Sequence, residues 1–346
     1  MKIAILSVQV PFIWGGAEVL AESLRDELKE RGHEAEIITY PFKWYPPETI
    51  VDSIMISQMI DVSEVNGEPI DRVIALKFPA YYISHDNKVV WLLHQHRQAY
   101  ELWNTEHGDL QNLKNGTEVR KIIQECDNRF LPQARKIYTI SGNVTERLKK
   151  FNDIEAITLY PPPKNSGRFK FGIAEDFIFY PSRIDPIKRQ ILLVQALKYC
   201  KTPVKVVLAG TGSQNAINEI YSIAKKDGTL SRMELRGFIS EDEKIDLYSR
   251  SLGVYFGPYQ EDYGYITLEA FLSGKPVITH SDSGGPLEFV NEKTGFVVDP
   301  DPKSIASAMD KLYEDRILAK KMGESGFELM KELNINWDFV VEQLLS

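Results

Sequence analysis

Cysteine is almost absent from this chain: two residues in 346, Cys126 and Cys200. Two thiols cannot build a disulfide framework or a four-thiolate zinc site, and both are expected as small, buried apolar side chains. No apolar run approaches the ~20 residues that cross a bilayer. The opening MKIAILSVQVPF is too short in its apolar run for a secretory leader, so a cytoplasmic protein is expected. Basic charge is also in short supply. The 41 Lys+Arg stand against 49 Asp+Glu, a net charge of −8, which argues against broad nucleic-acid binding, where clustered Lys and Arg neutralise phosphates. Missing too are G-x-G-x-x-G, G-x-x-x-x-G-K-[ST], G-x-S-x-G and H-E-x-x-H. Nicotinamide dehydrogenase, P-loop kinase, serine hydrolase and zincin readings therefore have no anchor.

What is present is alternation. Short apolar runs at residues 2–8, 36–40, 72–76, 88–93, 136–140 and 155–160 read as strands, with helices at 17–31, 117–131 and 143–151. The first helix has Val19, Leu20, Leu24 and Leu28 on one stripe and Gly32 as its stop. The pattern breaks at Pro161, Pro162 and Pro163. It then restarts with strands at 177–180, 204–209, 233–236, 252–256, 276–279 and 295–298. Helices are expected at 187–199, 214–226, 241–250, 267–273, 302–313, 317–333 and 337–345. Strands separated by helices imply right-handed crossovers and parallel sheets, here two doubly wound α/β halves facing a cleft at the carboxyl ends of their strands. Residues 41–61 carry no readable pattern.

Several loops at expected strand ends could carry chemistry. Gly15 and Gly16, directly before a helix, would let a ligand approach bare amides at the positive end of the helix dipole, or simply form a tight turn with Glu18 stabilising the first helical turn. Arg183 and Lys188 bracket another turn and suit a diphosphate, though a solvated basic turn reads the same. Gly210 and Gly212 end the next strand. In E-D-Y-G-Y-I-T-L-E-A, Glu261 lies in a loop and Glu269 about one turn into an apolar helix. A carboxylate among apolar neighbours is costly unless something binds it, and a ribose diol would serve; a surface Glu on a capped helix is the alternative. The amides of Ile266 and Thr267 could hold a phosphate. His94 and His96 lack a third zinc ligand by spacing, so hydrogen bonding to a polar substrate is the better role for His94. Trp44, Tyr45, Trp91 and Trp103 could stack on a sugar or merely pack.

In their order, the Gly pair, strand-end His, Arg…Lys turn, A-G-x-G turn and Glu261/Glu269 pair resemble the retaining nucleotide-sugar glycosyltransferases of family 4. That resemblance is strongest over residues 177–298. It implies the GT-B fold of two Rossmann-like domains: an acceptor-binding domain over 1–163, completed by a helix at 335–346 that crosses back to it, and a donor-binding domain over 164–334. It implies that Glu269 takes the ribose hydroxyls, that Arg183, Lys188, Tyr265, Ile266 and Thr267 hold the diphosphate, and that Glu261 and His94 meet the donor sugar. Gly15, Gly16, Gly210 and Gly264 would line the site. A hexosyltransferase using UDP- or GDP-sugar and a glycan, lipid-linked or small-molecule acceptor is expected, in polysaccharide or glycoconjugate synthesis. No metal or other cofactor is expected, in keeping with the lack of a D-x-D motif between strands. A non-catalytic nucleotide-sugar-binding subunit, an epimerase or a phosphorylase are the rival readings. Two departures stand out: Arg189 follows the Arg…Lys turn where the family often has Gly, and His96–Arg97 stand where an acidic residue is often found. Acidic side chains outnumber basic ones 23 to 18 over residues 1–160, leaving only the cluster Arg147, Lys149 and Lys150 to make peripheral contact with the inner face of a membrane.

Overall fold

Runs such as residues 3–6 and 89–92 are apolar at every position, so strands made from them must be covered on both faces, the situation of a parallel sheet sandwiched by helices. The computed structural model describes residues 1–346 and builds two such sheets in two units, Met1–Lys164 with Asn336–Ser346 and Asn165–Ile335. In the first unit the elements are β1 (Lys2–Gln9), α1 (Gly16–Glu30), β2 (Glu34–Pro41), α2 (Glu48–Met59), the small hairpin β3 (Glu64–Val65) and β4 (Glu68–Pro69), and β5 (Arg72–Ala75). They continue as β6 (Lys88–Leu92), α3 (Gly116–Phe130), β7 (Lys136–Thr139), α4 (Gly142–Asn152) and β8 (Ile157–Thr158). Its sheet has the order β2-β1-β5-β6-β7-β8, with every pair parallel.

The second unit repeats the plan. It comprises β9 (Phe177–Pro181), α5 (Gln190–Ala196), β10 (Lys205–Ala209), α6 (Gln214–Lys226), β11 (Met233–Leu235) and α7 (Glu241–Arg250). After these come β12 (Gly253–Tyr255), α8 (Tyr265–Leu272), β13 (Val277–His280), β14 (Gly295–Val298), α9 (Pro302–Glu314) and α10 (Arg316–Glu332). The order β11-β10-β9-β12-β13-β14 is again all parallel. The last helix, α11 (Trp337–Leu345), packs in the first unit. Trp337 stands edge-on to the fully buried Trp91, and the Arg72 guanidinium donates to the carbonyls of Leu344 and Leu345 at 2.9 and 3.0 Å. A cation on the last carbonyls satisfies groups that the helix cannot pair itself and opposes its dipole.

At four points the structure corrects or completes the sequence reading. Residues 41–61, given no element from the sequence, contain α2, which periodicity does not reveal because its apolar residues fall on both faces: Ile50 and Ile54 are buried while Met55, Ile56 and Met59 are exposed. The helix expected over 187–199 is broken at its start into a 3-10 turn, Pro186–Lys188, and a left-handed residue, Arg189 (φ +57°), before α5 begins. The cysteines are only half-buried. Trp91 is sealed in the core with its indole N–H on Leu159 O at 2.9 Å, which removes it from any sugar contact. No helix is long and apolar enough to cross a membrane.

Candidate functional site

In an open parallel sheet, the loops at neighbouring carboxyl ends diverge where the strand order reverses, leaving a crevice. In the second unit that reversal falls between β9 and β12. The loops leaving those strands are the ones that carry Arg183 and Lys188, and Glu261. Asp185 caps its 3-10 turn by accepting from the Ile187 N–H, and the Ile187 carbonyl takes the Tyr259 N–H at 2.9 Å. The two loops are thereby tied, and the Lys188 ammonium forms an ion pair with the Glu261 carboxylate. Glu261 is gripped along its backbone, its N–H on Ser283 O and its carbonyl under Gly285 N–H, both at 2.8 Å. Arg183 extends into solvent, 3.4 Å from Asp185.

Gly264 begins α8 in the left-handed region (φ +95°), and a Cβ there would lie 2.6 Å from the Phe256 ring; no other residue fits without displacement. The amides of Tyr265 and Ile266 open the helix, where no intrahelical acceptor exists. Thr267, expected to add a third amide, instead donates to Gly264 O at 3.1 Å, because the first turn closes on its own cap. Glu269 is buried as expected, but it has partners of its own: Lys244 Nζ at 3.0 Å and the Tyr248 hydroxyl at 2.7 Å. Burial works against the charge on Lys244, yet the fields of Glu269 and Glu241 hold its pKa above the ordinary value. Burial and then the Glu269 charge drive the Tyr248 hydroxyl well above its own. The partner that a buried Glu269 requires is thus supplied within the protein, and the surface-Glu alternative does not hold. Lys244 and Tyr248 were not legible, since their contact with Glu269 spans more than twenty residues. Gly210 is required by packing, as a Cβ would meet Ser182 O at 2.0 Å, and its N–H is taken by Gly237 O at 2.7 Å.

In the first unit the order reverses between β1 and β5. Of the two readings for this turn, the structure shows the one in which Glu18 holds it: the Gly15 amide donates to Glu18 Oε2 at 2.9 Å, and the other Glu18 oxygen faces Lys77 Nζ at 3.2 Å. Gly16, at the first position of α1, has no intrahelical acceptor. His94 is half-buried at the end of β6, its Nδ1 2.6 Å from Gln95 O. A carbonyl can only accept, so that contact places a proton on Nδ1. Gln95 is held by Asp127 and Asn152, and the buried Asp127 also accepts from the hydroxyls of Tyr81, Tyr82 and Tyr100. His96 packs 5.1 Å from Phe78, ring to ring. No group of three His, Cys, Asp or Glu side chains is arranged to hold a metal ion. A D-x-D triplet does occur after β14, at Asp299-Pro300-Asp301, where Asp301 is used as the cap of α9.

His280, at the end of β13, is fully buried, and burial followed by the Arg189 charge pushes its pKa down to about 4. The unfolded chain, with an ordinary His pKa near 6.5, therefore binds more protons than the folded one between these values. Stability is complete above pH 6.5 and falls as pH drops toward 4, by on the order of 3 kcal/mol. Urea unfolding at pH 7 and pH 4.5 should show this slope, and His280→Gln should reduce it, leaving the part due to His96, which burial likewise pushes down to about 3. An unchanged slope in that variant would refute the assignment.

Residues 164–329 match the family described as Glycosyl transferases group 1. A stretch of 133 residues is 34% identical to the alpha-1,3/1,6-mannosyltransferase ALG2 of Dictyostelium discoideum, covering 36% of this chain and 31% of that protein. The chain thus spans about a third of that relative's length. The D-inositol 3-phosphate glycosyltransferase of Corynebacterium diphtheriae is 21% identical across all of this chain and 94% of its own length. Among solved structures, Anabaena Alr3699/HepE in complex with UDP and glucose superposes with a TM-score of 0.70 over 99% of both chains at 18% identity. At that identity the likeness is one of fold, and the fold is GT-B, built from two Rossmann-like parallel-sheet domains.

Proposed function

We propose, from the match of residues 164–329 to the Glycosyl transferases group 1 family, that this protein transfers a hexose from a nucleoside diphosphate sugar to a hydroxyl acceptor with retention of configuration. The observation that carries the reading is the meeting of Lys188, Glu261 and the first turn of α8 at the strand-order reversal of the second unit. In this scheme the diphosphate lies against Arg183, Lys188 and the amides of Tyr265 and Ile266, near Gly210 and Gly264. The ribose hydroxyls bond Glu269, and Glu261 contacts the sugar. His94, Gly15 and Gly16 of the first unit are assigned to the donor sugar and phosphates on the resemblance alone. As the bond from the anomeric carbon to the phosphate oxygen breaks, that oxygen gains negative charge, which cations and helix N-termini stabilise. The acceptor oxygen bonds the anomeric carbon and its proton passes to the departing phosphate. No divalent ion takes part in this scheme. The acceptor is a glycan, lipid-linked or small-molecule hydroxyl.

A thermal-shift panel of UDP, GDP, ADP, TDP and their sugars, with and without EDTA, tests the donor site. A ligand at 100 times its Kd stabilises the folded form by about 2.7 kcal/mol. One nucleotide is expected to raise the melting temperature equally in both buffers and so name the base. A shift abolished by EDTA would overturn metal independence, and no shift with any nucleotide would overturn the donor site itself.

A further inference from the structure

Arg189 is neither in the proposed donor contacts nor at a position where its side chain could be foreseen to matter. Its backbone is left-handed, φ +57° and ψ +36°, a region that costs a non-glycine residue energy and persists only where the surroundings over-determine it. The surroundings are unusually complete. Its guanidinium makes a two-pronged contact with Asp282, Nη1 to Oδ1 at 2.7 Å and Nη2 to Oδ2 at 2.8 Å. Nη1 also lies 3.3 Å from His280 Nδ1, and the guanidinium carbon sits 5.1 Å from the Tyr259 ring centroid. With Arg189 donating to Nδ1, His280 carries its proton on Nε2 and donates to the Tyr255 hydroxyl at 3.0 Å. Tyr255 and His280 are both fully buried, so this end of the tie is anchored in the core.

The other end reaches the reacting groups. Arg189 directly follows Lys188. Asp282 directly precedes Ser283, whose carbonyl takes the Glu261 N–H, and the Asp282 carbonyl itself takes the Gln260 N–H at 3.0 Å. One guanidinium thus bolts the turn bearing Lys188 to the loop that grips Glu261. We propose that the Arg189–Asp282 pair is a positioning device that sets Lys188 against Glu261. An Arg–carboxylate fork fixes both distance and plane, which a single flexible Lys–Glu contact cannot do. This rests on the donor-site reading only for its kinetic consequence; the placement of Lys188 is a property of the fold.

Two variants and one chemical probe test it. Arg189→Gly keeps the left-handed turn at no steric cost and removes the tie; Asp282→Asn removes the fork from the other side. Peptide mapping after brief acetic anhydride treatment is expected to show Lys188 labelled at least fivefold faster in each variant than in the native chain, with other lysines unchanged. Under the donor-site reading, kcat falls about tenfold or more in each while KM for the donor moves less than threefold. The double variant is then no worse than the worse single one, because both remove the same contact. Unchanged Lys188 labelling overturns the proposal, and so do additive losses in the double variant. If the native chain transfers no sugar, the donor-site reading fails, while faster Lys188 labelling in the variants still carries the positioning role.

Discussion

Lys188→Ala is expected to slow sugar transfer by about a hundredfold to a thousandfold, the range seen when one preorganised stabiliser of developing charge is removed. The ammonium is mostly shielded, with 18% of its side chain exposed, so it acts in surroundings where a charge is screened less than in open water. It sits on a short turn braced by the Tyr180 hydroxyl, which donates to Lys188 O at 2.6 Å. It therefore needs little reorganisation as the phosphate departs. The same variant should fold normally. Glu261, at 24% side-chain exposure, reaches water once its partner is gone, and partly exposed pairs are worth about 1 kcal/mol or less. Initial-rate assays with urea unfolding on the same preparation separate the two effects. A variant that keeps more than a tenth of the native rate removes Lys188 from the chemistry.

Glu269→Ala should have two large effects with separate origins. Nucleoside diphosphate affinity should fall by about tenfold to a hundredfold, as expected for losing hydroxyl hydrogen bonds to a charged acceptor. Stability should fall by roughly 3 kcal/mol, the lower end for breaking a buried pair. The low end applies because Lys244 retains Glu241 at 3.1 Å, while the Tyr248 hydroxyl loses its acceptor. Glu269→Gln keeps an acceptor oxygen and should recover most of the stability. Calorimetric titration against urea midpoints reads both. Should affinity hold while stability drops, Glu269 is a structural partner of Lys244 and not a ribose ligand.

How far the sequence could be read depended on the range of the interactions involved. The strand at 295–298 and the helices at 214–226, 241–250 and 337–345 have the bounds that their apolar spacing indicates, since the burial of one side of each element is a local, periodic signal. Helix α2 escaped because apolar residues stand on both of its faces, Ile50 and Ile54 inward and Met55, Ile56 and Met59 outward, which leaves no clear stripe. Gly264 was singled out by the family resemblance, and the structure supplies the reason: only glycine tolerates both its φ and its contact with Phe256. Arg189 was legible only as an oddity, since nothing near it in the chain says that Asp282, 93 residues on, will receive its side chain.

The sequence by itself determined that alternating apolar strands and amphipathic helices would make parallel α/β sheets, and which loops would lie at their carboxyl ends. Those follow from periodicity and chain direction, which are local. Only the tertiary structure decided which polar groups are already spoken for. The Glu269 carboxylate finds Lys244 and Tyr248, and the Asp127 carboxylate finds Tyr81, Tyr82 and Tyr100, because a buried polar group is satisfied by whatever folding brings within hydrogen-bond reach. Strand order decides that reach, and it set the turn of Lys188 beside the loop of Glu261 by reversing between β9 and β12.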